Sequence, residues 1–382
     1  MKVVIFSRYP QVRGNPQGGV EAVTLTLVRA LSQFSDMELH VVTLEANRRA
    51  IMVEQDGHAT VHRLPGSRWP QVLDITIGPG RRRLRRYVLG LHADILHTQE
   101  VHGIMFGDFP LPHVFTLHGY DHEETRIGNT LCGRLRSALW LRIEYYGLRR
   151  QRHVIAISPY ARDFLASVTG AVIHSIENAV DEEFFCIQRH EVPGRILSVG
   201  WITERKNTLG SVEALAQLVV KRTDALLVIA GKMNSASYEA RVREAIQRHN
   251  LPDRVEFLGH VSQERLQREL AKASVFLLPS FQETAPRAIS EAMAAGVPVV
   301  TSNRCGMPYM VSEGDSGFLV DPDDTAQIAA RVERVLTDEQ LRHSMSRRSR
   351  EIALARFHPN AVAARTREVY YQVVRDYQRS RH

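Results

Sequence analysis

Apolar residues along this chain fall into short continuous runs separated by longer stretches of helical spacing. In the first half the runs are "KVVIFS", "LHVVTL", "TVHRL", "ADILHT", "HVFTLH", "HVIAIS" and "VIHSIE"; in the second they are "RILSVG", "ALLVIAG", "RVEFLG", "SVFLLP", "VPVVTS" and "GFLV". Between most of them, segments such as "EAVTLTLVRALSQF" and "SQERLQRELAKA" place apolar residues three and four apart, as one helix face requires. Unbroken β-branched runs predict strands covered on both faces, hence parallel sheets with helices on each side. Two such sets predict an α/β chain with two doubly wound, Rossmann-like domains. The periodicity lapses in "DEEFFCIQRHEVPG", Asp181 to Gly194, before a new buried strand begins at Arg195. The expected division is therefore an N-terminal domain over 1–188 and a C-terminal domain over 189–358. The tail 359–382, "PNAVAARTREVYYQVVRDYQRSRH", reads as one amphipathic helix, free to pack on either domain and assigned here to the N-terminal one.

Composition narrows the setting. A length of 382 residues suits about two domains, and 44% hydrophobic with 24% charged residues is ordinary for a globular chain. The apolar run in "MKVVIFSRYP" is too short for a signal peptide or a membrane span, and no span-length run follows, so a cytoplasmic location is expected. Cys132, Cys186 and Cys305 are scattered and lack metal-ligand spacing, which fits reduced thiols. A net charge of +7 suggests an acidic partner without choosing among nucleotide, nucleic acid and anionic membrane.

In doubly wound sheets, ligands bind beyond the carboxyl ends of the strands, and two such sheets facing each other would make the cleft between them the place to look. After the first strand comes "RGNPQGGVEAV", where Gly18 and Gly19 would let backbone approach a ligand at a helix N-terminus; a plain strand-to-helix turn is the alternative. The loop does not match G-x-G-x-x-G, which counts against a dinucleotide oxidoreductase. "FTLHGYDHEE" sets His118 at a strand end, as a catalytic or a structural histidine. "SVGWITERKN" supplies Arg205 and Lys206 one loop beyond a buried strand, where cations can meet a phosphate or simply face solvent. "SFQETAPRAISEAMAAGVPVV" puts Glu283 and Glu291 on either side of Pro286, which suits the first turn of a helix that stops at Gly296. Helix N-termini attract anions, so two carboxylates flanking one need a reason beyond solvation. The acids of "DPDD", Asp321 to Asp324, precede the helical pattern "TAQIAARVERVL" and read better as an N-cap than as metal ligands. No metal is expected.

Taken together, "ETAPRAISEAMAAGVPVVTS" resembles the E-x7-E segment of retaining glycosyltransferases of family GT4, which have the GT-B fold. The resemblance extends, in the family's order, through "GGVEAV", the "HG" at His118, "AISPYARDFL", "IENAVDEEFF", "SVGWITERKN", "VEFLGHV", "VFLLPS" and "SGFLVDPDD". It implies a nucleotide diphosphate sugar donor, UDP-linked as first choice and GDP-linked as second, held mainly by the C-terminal domain, with no further cofactor. Carried over by position, Glu283 would hold donor-sugar hydroxyls and Glu291 the ribose hydroxyls. Lys206 would hold the diphosphate, the Gly18–Gly19 loop would close over it, and His118 would lie beside the anomeric centre. Gly259, His260 and Val261 would line the base; Thr284, Ala285, Pro286 and Arg287 complete the expected donor contacts. The chain departs from the family pattern at Trp201, where arginine is common and Arg205 would have to supply the second cation. It departs again at "TAPR", which replaces a glycine-rich run, and at Ala179, where glycine is frequent.

The resemblance implies sugar transfer with retention to a glycan, a lipid-linked or a small-molecule acceptor, as in polysaccharide or cell-envelope synthesis. Another GT-B activity, such as nucleotide-sugar epimerisation, would differ in changing the sugar without an acceptor. A non-catalytic reading rests on "RRRLRR", Arg81 to Arg86, and on "RLRSALWLRIEYYGLRRQR", Arg134 to Arg152, where Trp140, Tyr145 and Tyr146 interleave with arginines. Those runs suit a solvated helix face or an interfacial helix on an anionic membrane at its cytoplasmic face. They carry no RNA-binding signature, and no nucleic-acid partner is expected.

Overall fold

A computed structural model describes residues 1–12, 16, 18–46, 48–66, 74, 78–119, 131–233 and 235–380. Parts of two expected features lie outside those residues: the loop positions 13–15 and 17 before Gly18, and the whole of "YDHEE" after Gly119. The chain divides into two compact units, one formed by Met1–Ala179 with Pro359–His382 and the other by Val180–His358.

The first unit carries β1 (Lys2–Phe6), β2 (Glu38–Glu45), β3 (Met52–Asp56), β4 (Ala59–Pro65), β5 (Ile95–Gln99), β6 (His113–Leu117), β7 (His153–Ala156) and β8 (Val172–Ser175). They form one sheet in the order β3-β4-β2-β1-β5-β6-β7-β8. Every pairing is parallel except that of the edge strand β3 with β4. Val3, Val4 and Ile5 of β1 are fully buried, as strands covered on both faces must be. β3 was not expected. It joins β4 through Asp56, Gly57 and His58, with Gly57 at φ +62, the left-handed conformation that tight hairpin turns require.

The helix Pro359–Arg379 belongs to this unit and buries Val362, Ala363, Val369, Tyr370 and Val373 in the same cluster as Val3, Leu31 and Ile95. Its Tyr370 hydroxyl meets Nδ1 of the fully buried His97 at 2.7 Å, and Arg367 pairs with Asp36 at 2.6 Å.

The second unit has six strands, β9 (Arg195–Val199), β10 (Leu226–Ala230), β11 (Val255–Gly259), β12 (Val275–Leu278), β13 (Val299–Ser302) and β14 (Gly317–Val320). All pair in parallel, in the order β11-β10-β9-β12-β13-β14. The chain leaves β9 toward β10 on one side and returns to β12 on the other, so β9 and β12 flank a topological switch point. The break between units falls at Ala179/Val180, earlier than the expected 188/189. The reason is packing: Val180, Phe184, Phe185 and Ile187 sit in one cluster with Leu197, Phe276 and Ile289 of the second unit. In "DPDD", Asp324 caps the helix Thr325–Thr337 by accepting from the Gln327 N–H, while Asp321 and Asp323 both take Arg304. Cys186 and Cys305 are free thiols. No helix among the described residues is long and apolar enough to cross a membrane.

Candidate active site

The two loops that leave β9 and β12 meet at the switch point of the second unit. After β9 the backbone turns at Gly200, φ +144, and a Cβ there would lie 3.0 Å from Lys206 Cε. Glycine therefore lets the Lys206 stem lie against the strand end. Thr203 caps the short turn Glu204–Lys206. Asn207, in the left-handed conformation, accepts from the Gly210 N–H at 3.1 Å and donates to the Pro322 carbonyl at 2.7 Å. The Phe281 N–H then donates to the Arg205 carbonyl at 2.8 Å, tying this loop to the one after β12.

That tie brings three charged groups together. Lys206 Nζ and a terminal nitrogen of Arg205 each lie 2.6 Å from the same oxygen, Oε1 of Glu283. Arg205 also donates to the Gln282 carbonyl at 3.0 Å, so its side chain turns to the loop and not to solvent. Trp201, where the family commonly has arginine, is about half exposed. A third element holds Glu283 from behind. The Gly306 N–H donates to the Glu283 carbonyl at 2.9 Å, and a Cβ at Gly306 would stand 1.7 Å from the Thr284 carbonyl oxygen. Only glycine fits there. The preceding Cys305 has φ +55, so the turn after β13 is bent tightly against the Glu283 loop.

The helix Arg287–Ala294 begins with Pro286 as its N-cap, one position before the first turn where proline was expected. No side chain caps it, so its leading N–H groups are presented without competition from a capping oxygen. One turn in, Arg287 Nε lies 2.5 Å from Glu291 Oε1, an i,i+4 pair on one helix face. Glu291 is buried, which pushes its carboxyl above the usual carboxylate range; Arg287 pulls the other way, and Asp181 adds to the rise. Thr284 and Pro286 are buried and Ala285 half-buried along the same loop. At the end of β11, Gly259 and His260 are exposed and Val261 half-buried; the Gly231 N–H donates to the Gly259 carbonyl at 2.8 Å. Three cations (Arg205, Lys206, Arg287) and the two carboxylates they pair with (Glu283, Glu291) thus gather at the β9–β12 switch point.

His118 and the Gly18–Gly19 turn belong to the first unit. Gly18 is the extended N-cap of the helix Gly19–Leu31, and a Cβ at Gly18 or Gly19 would meet nothing within 4 Å. His118 follows β6 and is half-buried, with Nε2 at 2.9 Å from Gln99 Oε1. Gln99 is itself 3.2 Å from Thr24 Oγ1, which lies 2.8 Å from Ser7 Oγ, so a buried polar chain runs across the ends of β1, β5 and β6. Burial pushes the His118 imidazole down to about 4, against the pull of Glu100. It is neutral near pH 7. Gln99 went unremarked in the sequence, although "HTQE" puts it at a strand end; Gly306 left no such signal.

Two doubly wound units of this kind, with ligand-type loops at the strand ends, make up a GT-B chain. The profile for glycosyl transferases group 1 matches residues 180–352, and that for glycosyltransferase family 4 matches residues 17–184. The chain belongs to this group 1/family 4 glycosyltransferase family. It is 31% identical over 165 residues to the N-acetyl-alpha-D-glucosaminyl L-malate synthase of Bacillus anthracis, covering 43% of this chain and 42% of that protein. To the glycogen synthase of Mycobacterium tuberculosis it is 28% identical over 268 residues, covering 69% and 63%. The matched stretch therefore spans less than two thirds of these relatives' own length. Among solved structures, sucrose-phosphate synthase from Thermosynechococcus elongatus shares the fold with a TM-score of 0.82 at 22% identity, covering 97% of this chain and 98% of that one. Anabaena Alr3699/HepE, solved with UDP and glucose, does so with a TM-score of 0.73 at 18% identity, covering 97% and 100%.

Proposed function

We propose that this chain transfers a sugar from a nucleotide diphosphate sugar to an acceptor with retention of anomeric configuration, UDP being the first nucleotide to test. The observation that carries the reading is the sharing of one Glu283 oxygen by Lys206 and Arg205 at the switch point of the second unit. A diphosphate entering there meets two cations and an uncapped helix N-terminus. As it takes the cations, Glu283 is released to accept hydrogen bonds from neutral sugar hydroxyls. Glu291, kept in place by Arg287, is the corresponding acceptor for ribose hydroxyls. The carboxylates grip sugars and the cations grip phosphates.

The chemical barrier lies in separating an anionic diphosphate from an oxocarbenium-like sugar. Fixed positive charge at the leaving group acts more strongly on the transition state than on the bound donor, and this difference raises the rate. In the first unit, neutral His118 and the Gly18–Gly19 turn are the residues assigned to substrate contacts. Gly259, His260 and Val261 are assigned to the base. In this reading the departing phosphate takes the acceptor proton on the same face, and no metal takes part. The relatives' names, N-acetylglucosaminyl-malate synthase and glycogen synthase, support a small-molecule or glycan acceptor; a lipid-linked one is equally compatible with the residues.

The first test is a thermal-shift screen against UDP- and GDP-sugars, where a ligand at 100 times its Kd stabilises by about 2.7 kcal/mol. With the donor found, Lys206→Ala should stay folded and lose roughly 100- to 1000-fold in turnover. Near-wild-type turnover in that variant removes Lys206 from the mechanism. Nucleotide release only when acceptor is present separates transfer from epimerisation.

A further inference from the structure

The two arginine-rich runs that the site does not use converge on one concavity in the first unit. The helix Pro79–Gly90 supplies Arg81, Arg82 and Arg85, and the helix Leu131–Leu148 supplies Arg142 and Tyr146, around a space of about 790 Å³. The one carboxylate on its wall among the described residues, Asp108, is taken by Arg81 at 2.9 Å, with Arg85 at 3.7 Å. Among the described residues, Arg82 and Arg142 have no ion-pair partner, and both are exposed. Among the described residues, positive charge therefore exceeds negative by three on this wall, in guanidinium form, which suits phosphate oxygens better than ammonium does.

The second helix adds an apolar component where water would be expected. Leu139 is 57% exposed, Leu141 37% and Tyr146 52%, with Arg150 stacked 4.0 Å over the Tyr146 ring. Leu139, Arg142 and Tyr146 are spaced i, i+3, i+7 and share one stripe. The one acid described in this helix, Glu144, is buried, so the outward face carries no negative charge to repel an anion. Exposed leucines beside unpaired arginines gain nothing from a nucleic-acid backbone. A bilayer rich in anionic phospholipid offers phosphates to the arginines and acyl chains to the leucines at the same time.

We infer that this groove and the neighbouring Leu139–Tyr146 stripe form a docking surface for anionic phospholipid, with headgroup phosphates seated between Arg82 and Arg142. The inference is independent of any transfer chemistry. It is tested by flotation of the full chain with phosphatidylcholine vesicles, with and without phosphatidylglycerol. The chain should float only with the anionic vesicles, and less well at high salt. Each arginine near such a surface changes partitioning by about fivefold, so Arg82→Ala with Arg142→Ala should weaken it by about 25-fold. Leu139→Ser should weaken it at low salt as well. Thermal melts of these variants should match wild type, since the altered side chains are exposed. Lys206→Ala should float as wild type does, whatever it does to nucleotide binding, so failure here and failure of the transferase reading are separable. Equal behaviour with the two vesicle types, or unchanged flotation of the arginine variant, would overturn the inference. So would displacement from anionic vesicles by millimolar inorganic phosphate, which would mark a free-anion site, or by RNA, which would mark a nucleic-acid surface.

Discussion

Replacing Glu283 with glutamine should separate the stability of the empty site from its chemistry. Lys206 and Arg205 each stand 2.6 Å from Glu283 Oε1, so one carboxylate holds two positive centres close together. Their separation is then at most about 5 Å, and at an effective dielectric near 20 two unit charges at that distance repel by about 3 kcal/mol. The side chains of Arg205 and Lys206 are 23% and 12% exposed, so water screens part of this. A loss of about 2 kcal/mol is expected, or roughly 4–8 °C in Tm for a unit of this size. A nucleoside diphosphate supplies the missing negative charge and no longer competes with Glu283 for the cations. Its Kd should therefore tighten by about tenfold, the equivalent of roughly 1.4 kcal/mol. Turnover should still fall by about 100-fold, because the amide replaces the carboxylate assigned to the sugar hydroxyls. Differential scanning fluorimetry with and without UDP, titration calorimetry, and initial rates of UDP release read the three quantities. If Glu283→Gln melts like wild type when empty, or binds UDP as poorly as Lys206→Ala, the shared-oxygen argument is wrong.

Gly306→Ala places a methyl group 1.7 Å from the Thr284 carbonyl and should cost about 3 kcal/mol or more with loss of turnover. Gly19→Ala, where a Cβ meets nothing within 4 Å, should leave the melt within about 1 °C; equal melts for the two variants would contradict the packing described. Burial holds His97 and His113 at about 3, against an ordinary value near 6.5. Both are neutral in the folded chain, so their contribution is complete above pH 6.5 and is lost as pH falls toward 3. Each should add a slope of about 1.4 kcal/mol per pH unit below pH 6.5, and urea midpoints should flatten by one such slope in His97→Gln. A wild-type midpoint that does not move between pH 6.5 and 4.5 would refute this. Truncation before Pro359 strips the cover from the cluster holding Val3, Leu31 and Ile95, and at about 1.5–3 kcal/mol per large side chain the first unit should lose its fixed packing. Retention of the wild-type near-UV circular dichroism would show that the helix is dispensable.

How far these features were legible follows from how each is built. Strands buried on both faces announce themselves as apolar runs, which is why β1 and β9 were visible in "KVVIFS" and "RILSVG". β3 escaped because it is an exposed edge: Met52 is 40% and Val53 55% accessible, and only the Asp56-Gly57 turn marked it. The unit boundary was placed late because Val180–Ile187 has no helical or strand period yet buries Phe184 and Phe185. Such a segment is assigned by what it packs against, and no local pattern records that.

The site shows the same division. Lys206 and Glu283 were singled out because each lies one loop beyond a buried strand, and the structure brings the two together where strand order reverses. The Arg287–Glu291 pair was present as an i,i+4 spacing and could have been drawn from it. Gly306 could not, since its necessity arises from a carbonyl more than twenty residues away that the β12–β13 pairing brings against it. That contact also explains why the segment after Glu283 need not be glycine-rich in this chain. The close backbone approach is made by Gly306 from the next strand's loop, so "TAPR" can carry side chains while the Glu283 carbonyl stays anchored. Trp201 follows the same logic. In the proposed reading Arg205, held by the Gln282 carbonyl and Glu283, is the second cation, placed four positions further along the loop than Trp201.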